Sequence, residues 1–582
     1  MAQSDQEWIV RSIGVIGPGI VGMPMAALLA NARICIGTDT PATVTVVQRR
    51  SPTSGWKVDA INRGESVIGG IEPALDAIVG DAVRDGLLCA SDDPRVLTDA
   101  DVIMVCVQTD KDGIGPDYQP LYAALDGLIG ALLLRAVDRP APLIIFESTL
   151  APSSMATLVR DRLAASGLVD GVHVLLGNSP NRVMPGRLVE RVAASDKLAG
   201  GLSPLAATRI ARLYRNVVTG GTMHPTSSLT AEIVKTLENA YRDVRIAFST
   251  EVAQACEALN IDFFALRDAV NAKLAQSDGF SSDAASVPTG ALLVPMIGVG
   301  GHCLPKDGVL LWWRAQTAPV SSPGRPDPST SLILESRRIN DDQPDWTMAM
   351  AERAIGALSG RKVAVLGVAY RADADDTRNA PGLSLVRLLL RAGADVHVHD
   401  PFVRSRDVNV AATVPPGRLT SDLATALLGA EAVFVCVAHE PYRAGLTSWL
   451  ESLSTCRVVV DGARVIDLER LRACGMTACG VGRGSNRPPA ELIDAVADAF
   501  RAVELGVANE VDALVRYYDG LFRGPLEEAC TYEEVRRLAA TCPTTCALPA
   551  PGPVSYVARR TGFSSRLVDL AVTASRVAAT AG

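Results

Sequence analysis

The sequence predicts an α/β protein with two doubly wound parallel sheets, joined by a central helical domain with a long connecting helix and followed by a helical C-terminal extension. Three observations predict this fold. A glycine-rich strand, turn and helix pattern begins at Ser12, a second such pattern begins at Arg361, and an uninterrupted helical pattern lies between them. Because 582 residues exceed what one hydrophobic core supports, several domains are expected.

The first unit is "SIGVIGPGIVGMPMAALLA", where an apolar run leads into Gly17, Gly19 and Gly22 and then into a helical pattern. Glycines at this spacing permit a tight turn and let the backbone approach a pyrophosphate at a helix N-terminus. Further buried-strand patterns follow at "TVTVVQ", "DVIMVCV" and "PLIIFEST". Together they predict an N-terminal dinucleotide-binding Rossmann domain over residues 1–221.

The middle region, residues 222–340, opens with "TAEIVKTLENAYRDVRIAFSTEVAQACEAL", which contains no Pro or Gly. This periodicity predicts one long helix within a central helical domain. A helix longer than a typical domain should connect the two sheets and offer a face to another subunit. We therefore expect a homodimer or higher homo-oligomer through this helix.

The second sheet is predicted over residues 341–500, from "RKVAVLGVAYRADADDTRNAP" through "ADVHVHDP", "EAVFVCVAHEP" and "CRVVVDGARVID". Residues 501–582 form a mostly helical extension of unknown role, interrupted by the turn-rich "CPTTCALPAPGPVS".

Composition excludes several classes of protein. Apolar residues make up 48% and charged residues 21%, as in ordinary globular proteins, and the net charge of -8 is spread without a long single-sign run. Neither nucleic acid nor a membrane is therefore an expected partner.

The 12 scattered cysteines and the absence of a leader-like N-terminus or an apolar membrane span favour a cytoplasmic protein. "CGMTAC" and "CPTTC" lack a second matching pair, so we expect no metal site.

The segment "GVGGHCLPKDG" places a thiol, an ammonium and a carboxylate within five positions, at Cys303, Lys306 and Asp307. Taken alone, it also fits a buried structural cysteine beside a surface turn. A reactive thiol would need positive charge or a helix N-terminus nearby to favour its thiolate.

The ordered motifs "GPGIVG", "ESTLAP", "SPNRVMPG", "AEIVKTLENAYRDV", "GVGGHCLPKD", "GVAYRADADDTRNAP" and "VVVDGARVID" resemble the UDP-glucose and UDP-N-acetylmannosamine dehydrogenase family of nucleotide-sugar 6-dehydrogenases. The resemblance covers roughly Ser12 to Gly484. It implies oxidation of the C6 alcohol of a UDP-sugar to a carboxylate by two hydride transfers to a nicotinamide. Cys303 is then the nucleophile, which holds the aldehyde as a thiohemiacetal and the acid as a thioester.

The resemblance also implies roles for other residues. Lys235 and Asn239, four apart on one helix face, would stabilise the oxyanion at C6. Asp307 would activate water or relay protons, and Thr149 would lie near the reacting carbon. The cofactor residues are expected to be Gly17, Gly19, Gly22, Gln48, Arg49, Thr109, Lys306 and Arg378. The substrate residues are expected to be Asn181, Arg182, Arg242, Gly300, Gly301, Arg371 and Arg464. Lys306 could instead pair with Asp307, and Arg464 could be a surface ion-pair residue.

Two positions depart from the family pattern. Asn181 stands where the family has a glutamate linked to thioester hydrolysis, and an amide cannot accept a proton from water. Either Asp307 or Glu147 replaces that glutamate, or the second half-reaction is slow. In the part of the cofactor site that would bind the ribose, Gln48 and Arg49 stand where an NAD site usually presents a carboxylate to the ribose hydroxyls. NAD is the expected cofactor, and NADP is the alternative.

Substrate identity stays open at this point. "GGHC" and "RVMPG" favour a UDP-N-acetylhexosamine, whereas "LPKD" favours UDP-glucose. Two other functions are also open: a two-electron 3-hydroxyacid-type dehydrogenase, and a non-catalytic or impaired nucleotide-sugar-binding protein.

Overall fold

The structure is a computed structural model. It describes residues 8–51, 54–68, 73–182, 188–274, 291–542, 548–556, 561 and 563–581. Two parallel sheets flanked by helices, a central group of helices and a helical C-terminal segment confirm the predicted fold class.

The N-terminal sheet has eight strands in the order β10-β9-β8-β7-β4-β1-β2-β3. The pairing is parallel throughout, except that β8 and β9 run antiparallel. Its strands are β1 (Ser12–Ile16), β2 (Thr43–Val47), β3 (Leu88–Ser91), β4 (Val102–Val105), β7 (Leu143–Phe146), β8 (Leu175–Asn178), β9 (Lys197–Gly201) and β10 (Met223–Ser227). A separate antiparallel hairpin consists of β5 (Asp110–Asp112) and β6 (Gly115–Asp117).

Helices cover both faces of this sheet, as a doubly wound fold requires. They are α1 (Gly22–Asn31), α2 (Trp56–Asn62), α3 (Pro73–Arg84), α4 (Gln119–Leu132), α5 (Arg160–Ala165), α6 (Leu188–Ala194) and α7 (Pro204–Tyr214). The strands β4 and β7 are fully buried runs of Val, Ile, Leu, Met and Phe, which is the expected composition of interior parallel strands.

The C-terminal sheet has six strands, all parallel, in the order β13-β12-β11-β14-β15-β16. They are β11 (Lys362–Leu366), β12 (Asp395–His399), β13 (Leu419–Thr420), β14 (Ala432–Val435), β15 (Val458–Asp461) and β16 (Thr477–Gly480). The flanking helices are α13 (Pro381–Arg391), α14 (Val408–Thr413), α15 (Leu423–Leu427), α16 (Glu440–Glu451) and α17 (Leu468–Ala473).

The central helices connect the two sheets. They are α8 (Ser228–Ala258), α9 (Phe263–Lys273), α10 (Leu304–Thr317), α11 (Leu332–Asp341) and α12 (Gln343–Ile355). The long helix predicted from the uninterrupted pattern is α8, and the Ser227 hydroxyl caps it by accepting from the Thr230 N–H.

Three further helices follow the second sheet: α18 (Ala490–Phe522), α19 (Tyr532–Ala539) and α20 (Arg566–Ala581). α18 is one continuous helix that runs through residue 500, where the sequence predicted a domain boundary. We call residues 523–581 the C-terminal extension. Its apolar side chains belong to the same hydrophobic core as those of α8.

The long helix does not offer the partner face that we expected from its length. Of its 31 residues, 24 are buried within this chain. Helices α10, α11, α18 and α19 pack around it, so the chain itself covers the predicted contact surface. Within one chain, α8 is therefore an enclosed helix and not an exposed connector. No helix in the described residues is long and apolar enough to cross a membrane.

Candidate active site

The glycine turn after β1 fits the pyrophosphate of a dinucleotide. Gly17 has φ +93°, and a side chain on it would meet the Cys106 carbonyl oxygen at 2.7 Å. A side chain on Gly22 would meet the Gly17 carbonyl oxygen at 2.1 Å, so the start of α1 is pressed against the turn. At Gly19 a Cβ would meet nothing within 4 Å. The turn therefore leaves open space at the position where the backbone must approach the phosphates.

The end of β2 lies beside this turn, because the Gly17 N–H donates to the Val47 carbonyl oxygen at 3.0 Å. Gln48 is next in the chain, and its Nε2 donates to the Arg49 carbonyl oxygen and to Ser54 Oγ. Arg50 forms an ion pair with Asp92 at 2.7 Å. Across the described residues, by contrast, the Arg49 guanidinium has no hydrogen-bond or ion-pair partner.

Two loops at the carboxyl ends of strands β4 and β7 lie beside the cysteine loop. Thr109, after β4, donates its hydroxyl proton to the Thr149 carbonyl oxygen after β7 at 2.7 Å. The Thr109 carbonyl oxygen accepts in turn from His302 Nε2 at 2.9 Å. The predicted Thr109 and Thr149 are thus joined to the residue that precedes Cys303.

Cys303 lies at the N-terminus of α10. Its carbonyl oxygen accepts from the backbone N–H groups of Lys306 and Asp307, at 3.1 and 2.9 Å. Three ionisable groups interact electrostatically with Cys303: Lys306, Arg378 and Tyr370. Cys303 is thus the N-cap residue of α10, in the surroundings of the positively charged Lys306 and Arg378.

A series of polar contacts links Lys306, Asp307 and Asn239. Lys306 Nζ lies 2.6 Å from Asp307 Oδ1, and Asn239 Nδ2 donates to Asp307 Oδ2 at 2.6 Å. Burial by itself lowers the pKa of Lys306, but the Asp307 carboxylate and Cys303 outweigh it, so the pKa is raised overall. Lys306 therefore pairs with Asp307, the alternative that the sequence left open, and it stays an ammonium.

Lys235 lies one turn before Asn239 on α8, which places both side chains on one face. Its side chain is 8% exposed. No group in the described part of the chain hydrogen-bonds or pairs with its ammonium. A nearly buried ammonium without a partner is costly, so this site is suited to an anionic or polar ligand group.

The second sheet closes over the cysteine loop. The Gly301 N–H donates to the Arg378 carbonyl oxygen at 2.9 Å, and Asn379 Nδ2 donates to the Gly301 carbonyl oxygen at 2.9 Å. The Arg378 side chain pairs with Asp376, and this hydrogen bond raises the Arg378 pKa. Arg378, predicted to contact the cofactor, thus lies at the junction between the Cys303 loop and the second domain.

A side chain at Gly300 would break this junction. Its Cβ would lie 2.6 Å from Tyr370 Cβ and 2.9 Å from the Asn379 carbonyl oxygen. We expect Gly300→Ala to displace the cysteine loop and lower kcat/KM about 100-fold, because misplacement of reacting groups by about 1 Å has effects of this size. Gly445→Ala on α16, where a Cβ meets nothing within 4 Å, is the matched control. Steady-state kinetics of both variants measure the effect, and equal activity of the two would contradict it.

Asn181 and Arg182 follow β8. Asn181 lines a small cavity with Asp196 and Lys197, among others. The Arg182 side chain is buried. It forms an ion pair with Glu238 and donates to the Leu538 carbonyl oxygen and the Thr541 hydroxyl of the C-terminal extension. These contacts hold the Arg182 side chain to the extension, and its predicted contact with the substrate stays a prediction.

Arg242, one turn after Glu238, also lies near the extension. Burial, and to a smaller extent the charge of Arg245, lower its pKa to about 10, while Cys542 opposes the shift. Its predicted role in substrate binding stays a prediction.

Arg371 and Arg464 lie at loops of the second sheet. Arg371 interacts with Tyr370, which faces Cys303. Arg464 follows β15 with φ +58°, and its guanidinium lies 3.5 Å from the centre of the Phe264 ring. Burial lowers the Arg464 pKa, as do Arg483 and Arg267. Arg464 is exposed and forms no ion pair in the described part of the chain, and its predicted role at the substrate stays a prediction.

Four residues of the site were missed as site residues by sequence reasoning: Asp110, His302, Tyr370 and Asn379. His302, Tyr370 and Asn379 stand inside quoted motifs, so their positions were a usable signal. Asp110 gave none, because only the folding of distant loops brings it to His302.

Comparisons with known proteins agree with this arrangement. Residues 11–218, 229–341 and 364–468 match the NAD binding domain, the central domain and the UDP binding domain of the UDP-glucose/GDP-mannose dehydrogenase family. A UDP-N-acetyl-D-mannosamine dehydrogenase of Pyrococcus horikoshii is 29% identical, over 81% of this chain and 99% of that protein. An NDP-N-acetyl-D-galactosaminuronic acid dehydrogenase of Ralstonia nicotianae is 28% identical, over 80% of this chain and 98% of that protein.

A solved structure gives the same result. The crystal structure of an NDP-N-acetyl-D-galactosaminuronic acid dehydrogenase from Methanosarcina mazei Go1 superposes with a TM-score of 0.68 and 31% identity. The match covers 82% of this chain and 96% of that one. With the three domains present in order around the glycine turn and the cysteine loop, the chain belongs to the UDP-glucose/GDP-mannose dehydrogenase family, an NAD-dependent family of oxidoreductases.

Proposed function

We propose that this protein oxidises the C6 alcohol of a UDP-hexose to the uronic acid, in two steps on one site, with NAD as cofactor. The observation that carries the proposal is the position of Cys303. It lies at the start of α10, next to a loop of the dinucleotide domain and a loop of the second sheet. A thiol between a cofactor domain and a nucleotide domain can hold an aldehyde between two oxidations.

The first oxidation needs a stabilised alkoxide at C6. Lys235, with a buried ammonium and no described partner, supplies a donor for the C6 oxygen. Asn239 is held by Asp307, so its amide is fixed in orientation and can position the same oxygen. Bound NAD accepts hydride at its nicotinamide ring.

The second oxidation needs the aldehyde to be retained. Cys303 Sγ adds to the aldehyde carbon and gives a thiohemiacetal, and loss of a second hydride from that carbon gives a thioester. The Lys306–Asp307 pair lies in the first turn of α10, just after Cys303 in the chain. Hydrolysis of the thioester releases the acid and restores the thiol.

For the substrate we propose a UDP-N-acetylhexosamine. Relatives over most of the chain are named for N-acetylmannosamine or N-acetylgalactosaminuronic acid nucleotides. The arginines Arg371 and Arg464 are candidates for the diphosphate, since guanidinium groups match phosphate oxygens in a bidentate way.

A single experiment tests the function. The protein is incubated with a panel of UDP-hexoses, with NAD and NADP in separate reactions, and reduced nicotinamides are counted per sugar consumed. We expect a count of two with a UDP-N-acetylhexosamine and NAD. A count of one would identify a two-electron dehydrogenase, and binding without any reduction would identify a nucleotide-sugar-binding protein.

The same assay tests a prediction about the ribose end of the cofactor. Because the Arg49 guanidinium has no described partner, we expect it to bind a 2′-phosphate, so that NADP is also accepted. Hydrogen bonds to charged groups contribute about 1.5–3 kcal/mol, so Arg49→Ala should raise KM for NADP roughly 10- to 100-fold and leave KM for NAD nearly unchanged. Arg50→Ala is the matched control, since Arg50 is held by Asp92. Equal effects on both nucleotides would contradict the assignment.

We propose that the protein forms a homo-oligomer, as expected from the sequence. Light scattering coupled to size-exclusion chromatography measures the mass in solution.

A further inference from the structure

The hydrolysis step lacks an evident base. Asn181 cannot accept a proton from water. Of the two carboxylates that could replace the family's glutamate, Asp307 is fully buried, and both of its oxygens are engaged by Lys306 and Asn239. Asp307 can neither reach water nor take up a proton without losing its contacts with Lys306 and Asn239.

Glu147 is engaged in the same way. One of its oxygens accepts from Lys197 Nζ at 3.0 Å, and the other accepts from the Tyr214 hydroxyl. Its side chain is 0% exposed. Both carboxylates that the sequence suggested are therefore occupied as structural groups, and the base must be sought elsewhere around Cys303.

His302 has the geometry of a base. Its Nε2 lies 2.9 Å from the Thr109 carbonyl oxygen. A carbonyl can only accept, so Nε2 carries the proton, and Nδ1 of the neutral ring keeps its lone pair. Nδ1 lies 3.6 Å from Asp110 Oδ2, which is too long for a direct hydrogen bond and leaves both atoms able to accept from one water molecule.

The charges around the ring keep it neutral. Burial lowers the His302 pKa most, followed by the Lys306 ammonium, with Arg378 acting in the same direction. Asp110 and the hydrogen bond to Thr109 oppose them, and Asp376 also faces the ring. The pKa lies below its usual value, so near neutral pH the ring is unprotonated at Nδ1 and can take up a proton.

His302 also shares charged neighbours with Cys303. It is the residue before Cys303, and Lys306 and Arg378 interact with both residues. Its side chain is 18% exposed, so water can reach it. Among the described neighbours of Cys303, it combines a lone pair, water access and a fixed orientation.

Building on the proposed function, we propose that His302 is the general base that hydrolyses the Cys303 thioester. Nδ1 takes a proton from a water molecule that Asp110 helps to hold. The resulting hydroxide adds to the thioester carbon, the C–S bond breaks, and the electron pair leaves on Sγ. The imidazolium then returns its proton to the sulfur or to solvent, so that one water is consumed, one carboxylic acid is released and no electrons are transferred to any acceptor.

The test uses the full chain and the UDP-hexose that gives turnover in the panel assay. His302→Gln keeps a donor for the Thr109 carbonyl but has no basic nitrogen. We expect a burst of two reduced nicotinamides per active site, followed by steady turnover at least 100-fold slower than in the wild type, since general bases contribute about 10²–10⁴-fold. Intact-protein mass spectrometry should detect the uronyl adduct on Cys303, and hydroxylamine should release it. His173→Gln, at an exposed loop histidine, is the matched control.

A second variant tests the proposal even if His302→Gln fails to fold. Asp110 is 44% exposed, so Asp110→Asn should fold. Because the Asp110 carboxylate raises the His302 pKa, its loss should move the acid limb of the hydrolysis rate to lower pH. Wild-type hydrolysis rates in His302→Gln, or loss of the two-nicotinamide burst together with the turnover, would overturn the assignment of His302. A wild-type protein that reduces no nicotinamide with any UDP-hexose would instead overturn the proposed function and, with it, this role of His302.

Discussion

Cys303→Ser is expected to abolish formation of the uronic acid while leaving binding of the UDP-sugar intact. A serine hydroxyl has the same shape but is a far weaker nucleophile near neutral pH than a cysteine next to the positive charge of Lys306 and a helix N-terminus. The aldehyde would then no longer be captured as a covalent adduct. We expect acid production to fall by about 10³-fold or more, in the range found when a nucleophile is removed from an enzyme.

Two measurements check this prediction. Mass spectrometry of the products detects the uronic acid, and the nicotinamide count detects any remaining first oxidation. Cys474→Ser is the matched control, because Cys474 is an exposed thiol at the C-terminal end of α17. Full acid production by Cys303→Ser would remove Cys303 from the mechanism, and with it the reason for a two-step oxidation at this site.

The elements of the fold could be predicted from local patterns. Strands such as β4 and β7 are continuous apolar runs, and α8 is a long segment without Pro or Gly, so burial and helix formation follow from nearby residues alone. The glycine turn was predicted for the same reason, since positive φ at Gly17 and close packing at Gly22 depend on glycine itself.

Contacts between distant segments could not be predicted in this way. Asn239 and Asp307 are on different helices, and their hydrogen bond exists only because α8 and α10 pack together. Arg182 was expected at the substrate for its place in a motif. Its actual partners, Glu238 and the carbonyl of Leu538, lie on α8 and in the extension, a segment that the motifs did not cover.

The extension is held to the catalytic part of the chain by specific polar contacts. Glu527 accepts from the Leu229 N–H at 3.0 Å, at the N-terminus of α8, where a carboxylate is favoured by the helix dipole. Glu534 accepts from the Thr226 hydroxyl at 2.8 Å. Glu251, on α8, accepts from the Ser565 hydroxyl at 2.7 Å, just before α20. These contacts fix the extension along most of the length of α8.

Apolar burial supplies the larger part of this attachment. Val535 and Leu538 on α19 are 0% exposed and belong to the core that contains Val234 and Leu237 of α8. Apolar area removed from water contributes about 25 cal/mol per Å², so side chains at such positions each stabilise the packed state by about 1.5–3 kcal/mol. The face of α8 that carries Lys235 and Asn239 is therefore supported from behind by the extension.

Val535→Asp should disrupt the packing of the extension against α8. A carboxylate at a fully buried apolar position has no partner to offset its desolvation, so we expect the free energy of unfolding to fall by ~4 kcal/mol. Differential scanning calorimetry should show the midpoint of the transition that contains the central domain lowered by about 10 °C. Arg537→Asp, at an exposed position of the same helix, is the matched control and should leave the midpoint within about 1–2 °C. If both variants had the same midpoint, the extension would not support the catalytic part of the chain. If only Val535→Asp lowered the midpoint and also lost dehydrogenase activity, the extension would be part of the catalytic domain. The reason would be that α8 cannot hold Lys235 and Asn239 in place without it.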